Sequence, residues 1–500
     1  MSNPMRMKRA PSLTKRRRGL RLDSPARRTI SRSVRPPSPT SSQPQQFIAT
    51  TEKNMNRRRF LMSGGLLAAT PFLAGAQPKG KAAAEDGGAA VGQRRPGRGP
   101  IGSRGEGLQP LDGGKIGHTS AMKITDIKTF LVGAEGRNWL YVKILTDQGL
   151  YGIGEAYSAG PDEATVKVIE DFKSWLIGND PRNVQYLFDL MYNTTRFPGG
   201  IIVNSAISGI EHALWDLAGK SAGVPVWALL GGRVRNKVRV YQSTSGATPA
   251  EAGENARAMV KKYGYTALKM GIQAPGDMPY NQATRTTVEH VAAVRQAVGP
   301  DVDIAVDIHA KFFEPSRAIR LANELEPYHP LWVEESVRPE NYDAMKKISD
   351  HVNVPLASGE SNYGIYEFKQ LIERQALDIV QPDICCCGGV LTLKKIAAMA
   401  EAQYIMVAPH NPMSPLATAV NVHFAASTSN FLILEYHAPD SGAARDVLKE
   451  PLMVKKDGYV EIPNKPGWGV ELNEEAFKSM PPAAWRRGTS FHADGSPYFQ

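Results

Sequence analysis

From Met122 onward, short apolar runs alternate with longer stretches of helical periodicity. Residues 124–132 and 139–146 alternate as strands, Asp147-Gln148-Gly149-Leu150 supplies a turn, and Tyr151-Gly152-Ile153-Gly154-Glu155 follows. Helical spacing runs through 162–177 and 203–222, the second carrying Ala206, Ile210, Ala213, Leu214 and Leu217. These elements predict an α+β domain over residues 122–237. A different rhythm starts with the apolar runs 238–241 and 267–270. Asp307, Glu334, Glu360, Asp383, His410 and Glu435 each close a short apolar run, and they lie 27, 26, 23, 27 and 25 residues apart. A strand, a helix and two loops together need about 25 residues, so the beat is one polar residue per β/α unit. All strand C-termini of such a barrel meet at one face, where catalytic side chains collect. The expected fold class is α/β. It is a modified (β/α)8 (TIM-type) barrel over residues 238–440 with an α+β N-terminal capping domain, and residues 441–500 pack on that cap.

The N-terminal 120 residues are of another kind. They carry 23 Lys+Arg against 6 Asp+Glu, whereas the other 380 carry 37 against 43, so the net charge of +11 resides in the leader. The body is mildly acidic, which argues against a nucleic-acid partner. Residues 1–54, rich in Arg, Ser and Pro, read as a disordered basic extension. Asn56-Arg57-Arg58-Arg59-Phe60-Leu61-Met62, with a weakly apolar stretch ending Ala74-Gly75-Ala76, makes residues 55–76 a twin-arginine export signal. That predicts a periplasmic protein, or a cytoplasmic one if the signal is not used, with Met55 as an alternative start. The stretch is too short and too rich in Gly for stable membrane insertion. Residues 77–120 read as a linker. The three cysteines, Cys385, Cys386 and Cys387, are consecutive and cannot build a disulfide framework. They read as small fillers beside Asp383, with Cys386 a candidate pocket residue.

Asp307, Glu334 and Glu360 end three successive strands, so their carboxylates can converge as three hard oxygen ligands, a set suited to Mg²⁺. Glu335 follows Glu334 and should face the opposite way. His309, two residues after Asp307, should share its inward face. Asp383 and His410 end adjacent strands, where a carboxylate can fix an imidazole's tautomer and raise its basicity. A chelated divalent ion beside a His–Asp pair suits removal of a proton α to a carboxylate, because the metal offsets the charge that accumulates.

The run Asp307-Ile308-His309, Val333-Glu334-Glu335, Ser358-Gly359-Glu360, Gln381-Pro382-Asp383 with Gly388-Gly389, and His410-Asn411-Pro412 resembles the mandelate racemase group of the enolase superfamily. The segment from Asn204 to Asp216 and Leu229-Leu230-Gly231-Gly232 fit the same group, and the resemblance covers about residues 122–475. Within the group it is closest in look to acid-sugar dehydratases of the galactonate dehydratase type. That resemblance implies Mg²⁺ on Asp307, Glu334 and Glu360, with His410, paired to Asp383, removing the C2 proton. It makes His309 the proton donor to the departing C3 hydroxyl. Glu435 would hydrogen-bond the substrate carboxylate or enediolate, and Lys269 would contact the same charge. It also implies a homo-oligomer. Racemases and epimerases of the superfamily usually carry Lys-x-Lys on the second barrel strand; Lys269-Met270-Gly271 lacks the second lysine, which favours elimination. Ser336 stands where Pro commonly follows the paired acids, a change confined to the loop.

Each residue alone has a duller reading, as a helix cap, solvated loop acid or core histidine. Arg196, in a candidate lid over residues 193–201, is placed to meet a distal hydroxyl or carboxylate. His212, His423 and His437 read as structural. No dinucleotide fingerprint, phosphate loop or nucleophile elbow appears in the body. The alternatives are a racemase or epimerase using His309 and His410, and an exported sugar-acid binding protein without turnover.

Overall fold

Two glycines decide how the capping domain packs. Strands β1 (Ile124–Ala134), β2 (Arg137–Thr146) and β3 (Tyr151–Ala156) form an antiparallel meander, and α1 (Asp162–Leu176), α2 (Val184–Thr194) and α3 (Ile201–Ala222) follow. Gly152 and Gly154 share one face of β3, where a Cβ would collide with the carbonyl oxygens of Ala213 and Gly209 on α3. The strand is therefore a groove that lets a helix backbone lie directly on it. Helix α3 is buried on almost every face, which places it between the cap sheet and the barrel, and it ends at Gly223 in a left-handed cap. The computed structural model describes residues 120–134, 136–158, 160–274, 277–484 and 491–497. The basic extension, the twin-arginine segment and residues 77–119 of the linker lie outside the described residues.

After the short α4 (Val226–Leu229), the chain builds strands and helices in turn. These are β4 (Lys237–Ser243), α5 (Pro249–Tyr263), β5 (Ala267–Gly271), α6 (Tyr280–Val298), β6 (Asp303–Asp307), α7 (Pro315–Leu325), β7 (Trp332–Glu334) and α8 (Tyr342–Ser349). They continue as β8 (Leu356–Ser358), α9 (Gly364–Glu373), β9 (Ile379–Val380), α10 (Gly389–Glu401), β10 (Met406–Val407), α11 (Pro415–Ala426) and β11 (Leu434–Glu435). Neighbours from β4 to β10 pair in parallel, and β11 pairs in parallel with β4. The ring closes where Leu432 N donates to Val407 O and Val407 N to Asn430 O, at 2.8 and 2.9 Å. This is the expected modified barrel. Its last unit lacks a full crossover, because only α12 (Gly442–Asp446) follows β11, and β12 (Tyr459–Glu461) then turns antiparallel against β4.

Tyr241, Ala267, Ala305, Trp332, Ala357, Ile379, Ala408 and Ile433, one per strand, fill the bore. Two residues further along, strand alternation aims Lys269, Asp307, Glu334, Gln381, His410 and Glu435 into the same bore, at its C-terminal mouth. Glu360 and Asp383 stand three and four residues past their bore residues, so turns carry them. Gly359, at φ 134°, makes the first turn.

The chain past α12 returns to the cap. Trp468 is fully buried; its N–H donates to Asp216 at 2.9 Å and its indole N–H to the Ile153 and His212 carbonyls at 3.1 Å. Phe477 stacks on Tyr141. No helix among the described residues is long and apolar enough to cross a membrane. Trp468→Ala is expected to destabilise the protein by about 3–5 kcal/mol, read as a shifted urea midpoint. A midpoint within error of the parent's would show that the C-terminal hook is dispensable.

Candidate active site

At the barrel mouth one ammonium stands among carboxylates. Lys269 Nζ donates a hydrogen bond to Glu334 Oε1 at 2.7 Å and forms ion pairs with Glu435 Oε1 at 3.1 Å and Asp307 Oδ2 at 3.2 Å. Glu334 Oε2 also accepts the Trp332 indole N–H at 2.8 Å. Asp307, Glu334 and Glu360 each bring an oxygen to within 4.8 Å of the others. An all-oxygen set of this kind fits a hard divalent cation. Burial and the Glu334 charge push the Asp307 pKa well above the carboxylate range, and burial raises Glu360 as well. Burial would also raise Glu334 and Glu435, but the Lys269 ammonium holds both below their ordinary values. Negative charge thus exceeds the single lysine, which is the electrostatic condition for taking up a cation.

Beside this cluster, His410 Nδ1 lies 2.9 Å from Asp383 Oδ2, and Nε2 is 3.7 Å from Glu360 Oε2. Asp383 Oδ1 accepts the Cys385 N–H at 2.7 Å, so both carboxylate oxygens are used. Burial alone would lower the His410 pKa, but the Glu360, Asp383 and Glu435 carboxylates overcome it and hold the imidazole up at about 10. His309 stands across from it, Nδ1 3.2 Å from Asp307 Oδ2, with a half-exposed side chain. Burial and the Lys269 charge bring its pKa down to about 4. His309 does meet Asp307, but not through strand alternation. β6 ends at Asp307, and His309 and Ala310 turn through φ 55° and 50°. Glu335 likewise adopts φ 45° and accepts from Ser358 Oγ and from Gly359 N–H at 3.3 Å; burial, then the Glu360 charge, raises its pKa to about 8.

Two roles expected from the sequence meet a different geometry. Lys269 is 5% exposed with all its partners inside the protein, so contact with a substrate charge would require it to give up a carboxylate. Glu435 accepts the Asn411 N–H at 3.0 Å besides pairing with Lys269. Held ionised, it has no proton to offer a substrate carboxylate. Arg196 is exposed, its guanidinium 5.4 Å from the Phe197 ring centre, and makes no ion pair among the described residues. Given no role from the sequence were Trp332, whose indole N–H reaches Glu334 two residues along the same strand, and Asn411, whose backbone N–H reaches Glu435 on β11. His437, read as structural, stands 3.9 Å from Glu435 and lines a cavity of about 210 Å³ with Arg137, Trp139 and Met413. The three cysteines are buried fillers, Cys386 with its sulfur 3.8 Å from the Glu360 carbonyl.

Lys269→Met leaves three buried carboxylates without their counter-charge. It should cost the EDTA-treated protein about 3–5 kcal/mol, with part regained on adding Mg²⁺, as read by thermal unfolding in both buffers. An unfolding temperature insensitive to the substitution would contradict this account. His410 makes a pH prediction. The folded protein holds its proton to about 10 and the unfolded chain releases it near 6.5. Its stabilisation is therefore full below pH 6.5 and lost as pH rises through 10. Across that window the metal-free parent should lose more stability than His410→Asn; equal slopes would rule the shift out.

Residues 120–231 match the mandelate racemase/muconate lactonizing enzyme N-terminal domain, and residues 251–476 match the enolase C-terminal domain-like family. A D-xylonate dehydratase of Haloferax volcanii is 38% identical over 370 residues, 71% of this chain and 88% of that protein. A D-galactonate dehydratase of Cronobacter sakazakii is 35% identical over 383 residues, 75% of this chain and 99% of that one. Among solved structures, an enolase from Agrobacterium radiobacter with sodium and L-malate bound is 39% identical, with a TM-score of 0.73 over 76% of this chain and all of that one. Both domains and the order of acids around the barrel thus lead to one assignment: the chain belongs to the mandelate racemase/muconate lactonizing enzyme group of the enolase superfamily.

Proposed function

We propose that this chain is a Mg²⁺-dependent sugar-acid dehydratase, a hydro-lyase that converts an aldonic or related acid, galactonate-like or gluconate-like, to its 2-keto-3-deoxy product. The observation that carries the reading is the His410–Asp383 pair at 2.9 Å with the free imidazole nitrogen 3.7 Å from the carboxylate triad. The dehydratase names of relatives at 35–38% identity support the reaction class. Asp307, Glu334 and Glu360 would hold the metal. Bound there, Mg²⁺ supplies positive charge that stabilises the electron density gathering on the substrate carboxylate and opposes the carboxylates that keep His410 protonated.

His410, its Nδ1 fixed by Asp383, takes the C2 proton at Nε2. The C2–H electron pair becomes the new C=C bond as the C3–O bond breaks. His309 gives its proton to the leaving oxygen, which departs as water. Its low pKa makes it a strong acid once protonated, and its half-exposed ring has access to a proton from solvent. The enol then takes a proton at C3 to give the ketone. Glu435 serves by orienting Lys269 and the Asn411 backbone. The absence of a second lysine at Gly271 removes a base from that side of the site and favours elimination over racemisation.

The reading extends to export through residues 55–76. A reporter fused to this segment should cross only in cells with a working twin-arginine pathway. The enzyme from residue 77 onward, incubated with Mg²⁺ and a panel of aldonic and aldaric acids, should yield a 2-keto-3-deoxy acid from at least one. EDTA should abolish that product. His410→Ala should lower kcat by about 10³-fold or more. C2 deuterium exchange without product would point to an epimerase, and folded, Mg²⁺-binding protein giving neither would point to a binding protein.

A further inference from the structure

Two buried carboxylates of the cap take no part in the chemistry above, yet each ends on a loop that carries a member of the His–Asp pair. Glu155, near the end of β3, is fully buried. Its Oε1 accepts the Ser414 N–H at 3.0 Å, and its Oε2 accepts the Ser414 hydroxyl at 2.5 Å and the Ala417 N–H at 2.9 Å. Ser414 is the N-cap of α11, four residues after His410. Glu211, on α3, is also fully buried. It accepts the Val390 and Leu391 N–H groups at 2.9 Å, at the start of α10, which begins six residues after Asp383. The approach is so close that a Cβ at Gly389 would collide with the Glu211 carboxylate.

The cap grips the Asp383 loop at further points. Ser208 Oγ accepts the Gly388 N–H at 3.0 Å, His212 Nε2 meets the Ile384 carbonyl at 3.1 Å, and Tyr157 N–H donates to the Cys385 carbonyl at 3.1 Å. Cys385 N–H in turn donates to Asp383 itself. Each glutamate faces donors only, at a helix N-terminus where backbone N–H groups and the helix dipole favour an anion. A carboxylate has only acceptors to offer, which suits that end and makes the seating specific.

We propose that Glu155 and Glu211 are positioning residues that hold His410 and Asp383 in register, by seating from the cap the two helices that follow them; this rests on the dehydratase reading of the pair. The cap is then part of the apparatus that sets the base. Glu155→Gln and Glu211→Gln keep size and shape but turn an N–H₂ toward backbone N–H donors. A shift of about 1 Å in a catalytic group is worth up to about 100-fold in rate, and loss of an outer partner of a catalytic histidine typically about 10–100-fold.

The test uses the enzyme from residue 77 onward with Mg²⁺. Each Gln variant should lose about 10–100-fold in kcat while KM and Mg²⁺ affinity stay near the parent values. Glu155→Asp, which keeps the charge, should regain part of the loss. A second readout needs no turnover. In ¹⁵N-histidine-labelled protein the His410 Nδ1–H resonance, assigned by its absence in His410→Asn, should shift or vanish in the Gln variants. If Glu155→Gln does not fold, Ser414→Ala removes a single donor and is read the same way. An unchanged kcat and resonance in folded variants would overturn the proposal. A kcat loss accompanied by equal loss of Mg²⁺ affinity, with the resonance intact, would also overturn it, since that is what a purely structural interface residue gives. Should the parent turn over no sugar acid, the dehydratase reading fails and the resonance alone decides on positioning.

Discussion

Everything at the barrel mouth depends on the ion pairs that Lys269 makes. Strand alternation drives Asp307, Glu334 and Glu435 into one bore from β6, β7 and β11, with Glu360 turned in beside them by Gly359. Like charges packed this closely in a water-poor place repel strongly unless something positive stands among them. The lysine on β5 meets that need for three acids at once and leaves Glu360 and part of Asp307 outside its reach. The residual negative charge falls on the three carboxylates that converge within 4.8 Å. Lys269 thus offsets part of the repulsion among these acids and leaves the remainder where a cation would complete the charge balance.

The same economy of buried charge joins the two domains. Glu155 and Glu211 meet backbone N–H groups at helix starts, and Asp216 meets the Trp468 and Ile153 N–H groups and Lys220. Burial pushes the first two up to about 7, so the donors around them only partly offset desolvation. Residues this costly to bury are inefficient as mere glue, since apolar side chains of equal volume would hold an interface at least as well. What they add is direction: a carboxylate seated on particular N–H groups admits only one register of cap against barrel.

Much of this was legible in the sequence, for a physical reason. A β/α unit has a nearly fixed length and its catalytic residue sits at a fixed place in it, so the spacing alone located the three metal-type acids, Asp383, His410 and Glu435. The short interval of 23 before Asp383 reflects a short unit between β8 and β9, whose bore residues Ala357 and Ile379 are only 22 residues apart. Local alternation misled where strands stop. His309 and Glu335 lie just beyond β6 and β7 in left-handed conformations, where the two-residue period no longer holds. Lys269 was recognised as a site residue, but its partners come from three other strands, so nothing near it in the chain reveals that its charge is already taken. Glu155 and Glu211 were illegible for a similar reason: apart from Trp215, one turn along α3 from Glu211, their partners lie some 180 to 260 residues away, and most are backbone N–H groups, which leave no trace in residue type. His437 was read as structural although it lies only two residues past Glu435, a spacing that places both side chains on one side of the chain.

The excess of negative charge also bears on how a sugar acid enters. Its carboxylate would be repelled by a mouth holding Asp307, Glu334, Glu360 and Glu435 against one lysine and one imidazolium, and the interaction is strong at low effective dielectric. Lys269 cannot meet the newcomer without releasing a carboxylate, and Arg196 stands out on the cap loop. A cation on the triad reverses the sign of the field at the one place where the acid must bind, so affinity for substrate and readiness to lose the C2 proton would come from the same charge. On the proposed reading, a metal-free enzyme would be a poor binder of the acid as well as a poor catalyst. Substrate affinity, measured apart from turnover, would therefore follow metal occupancy.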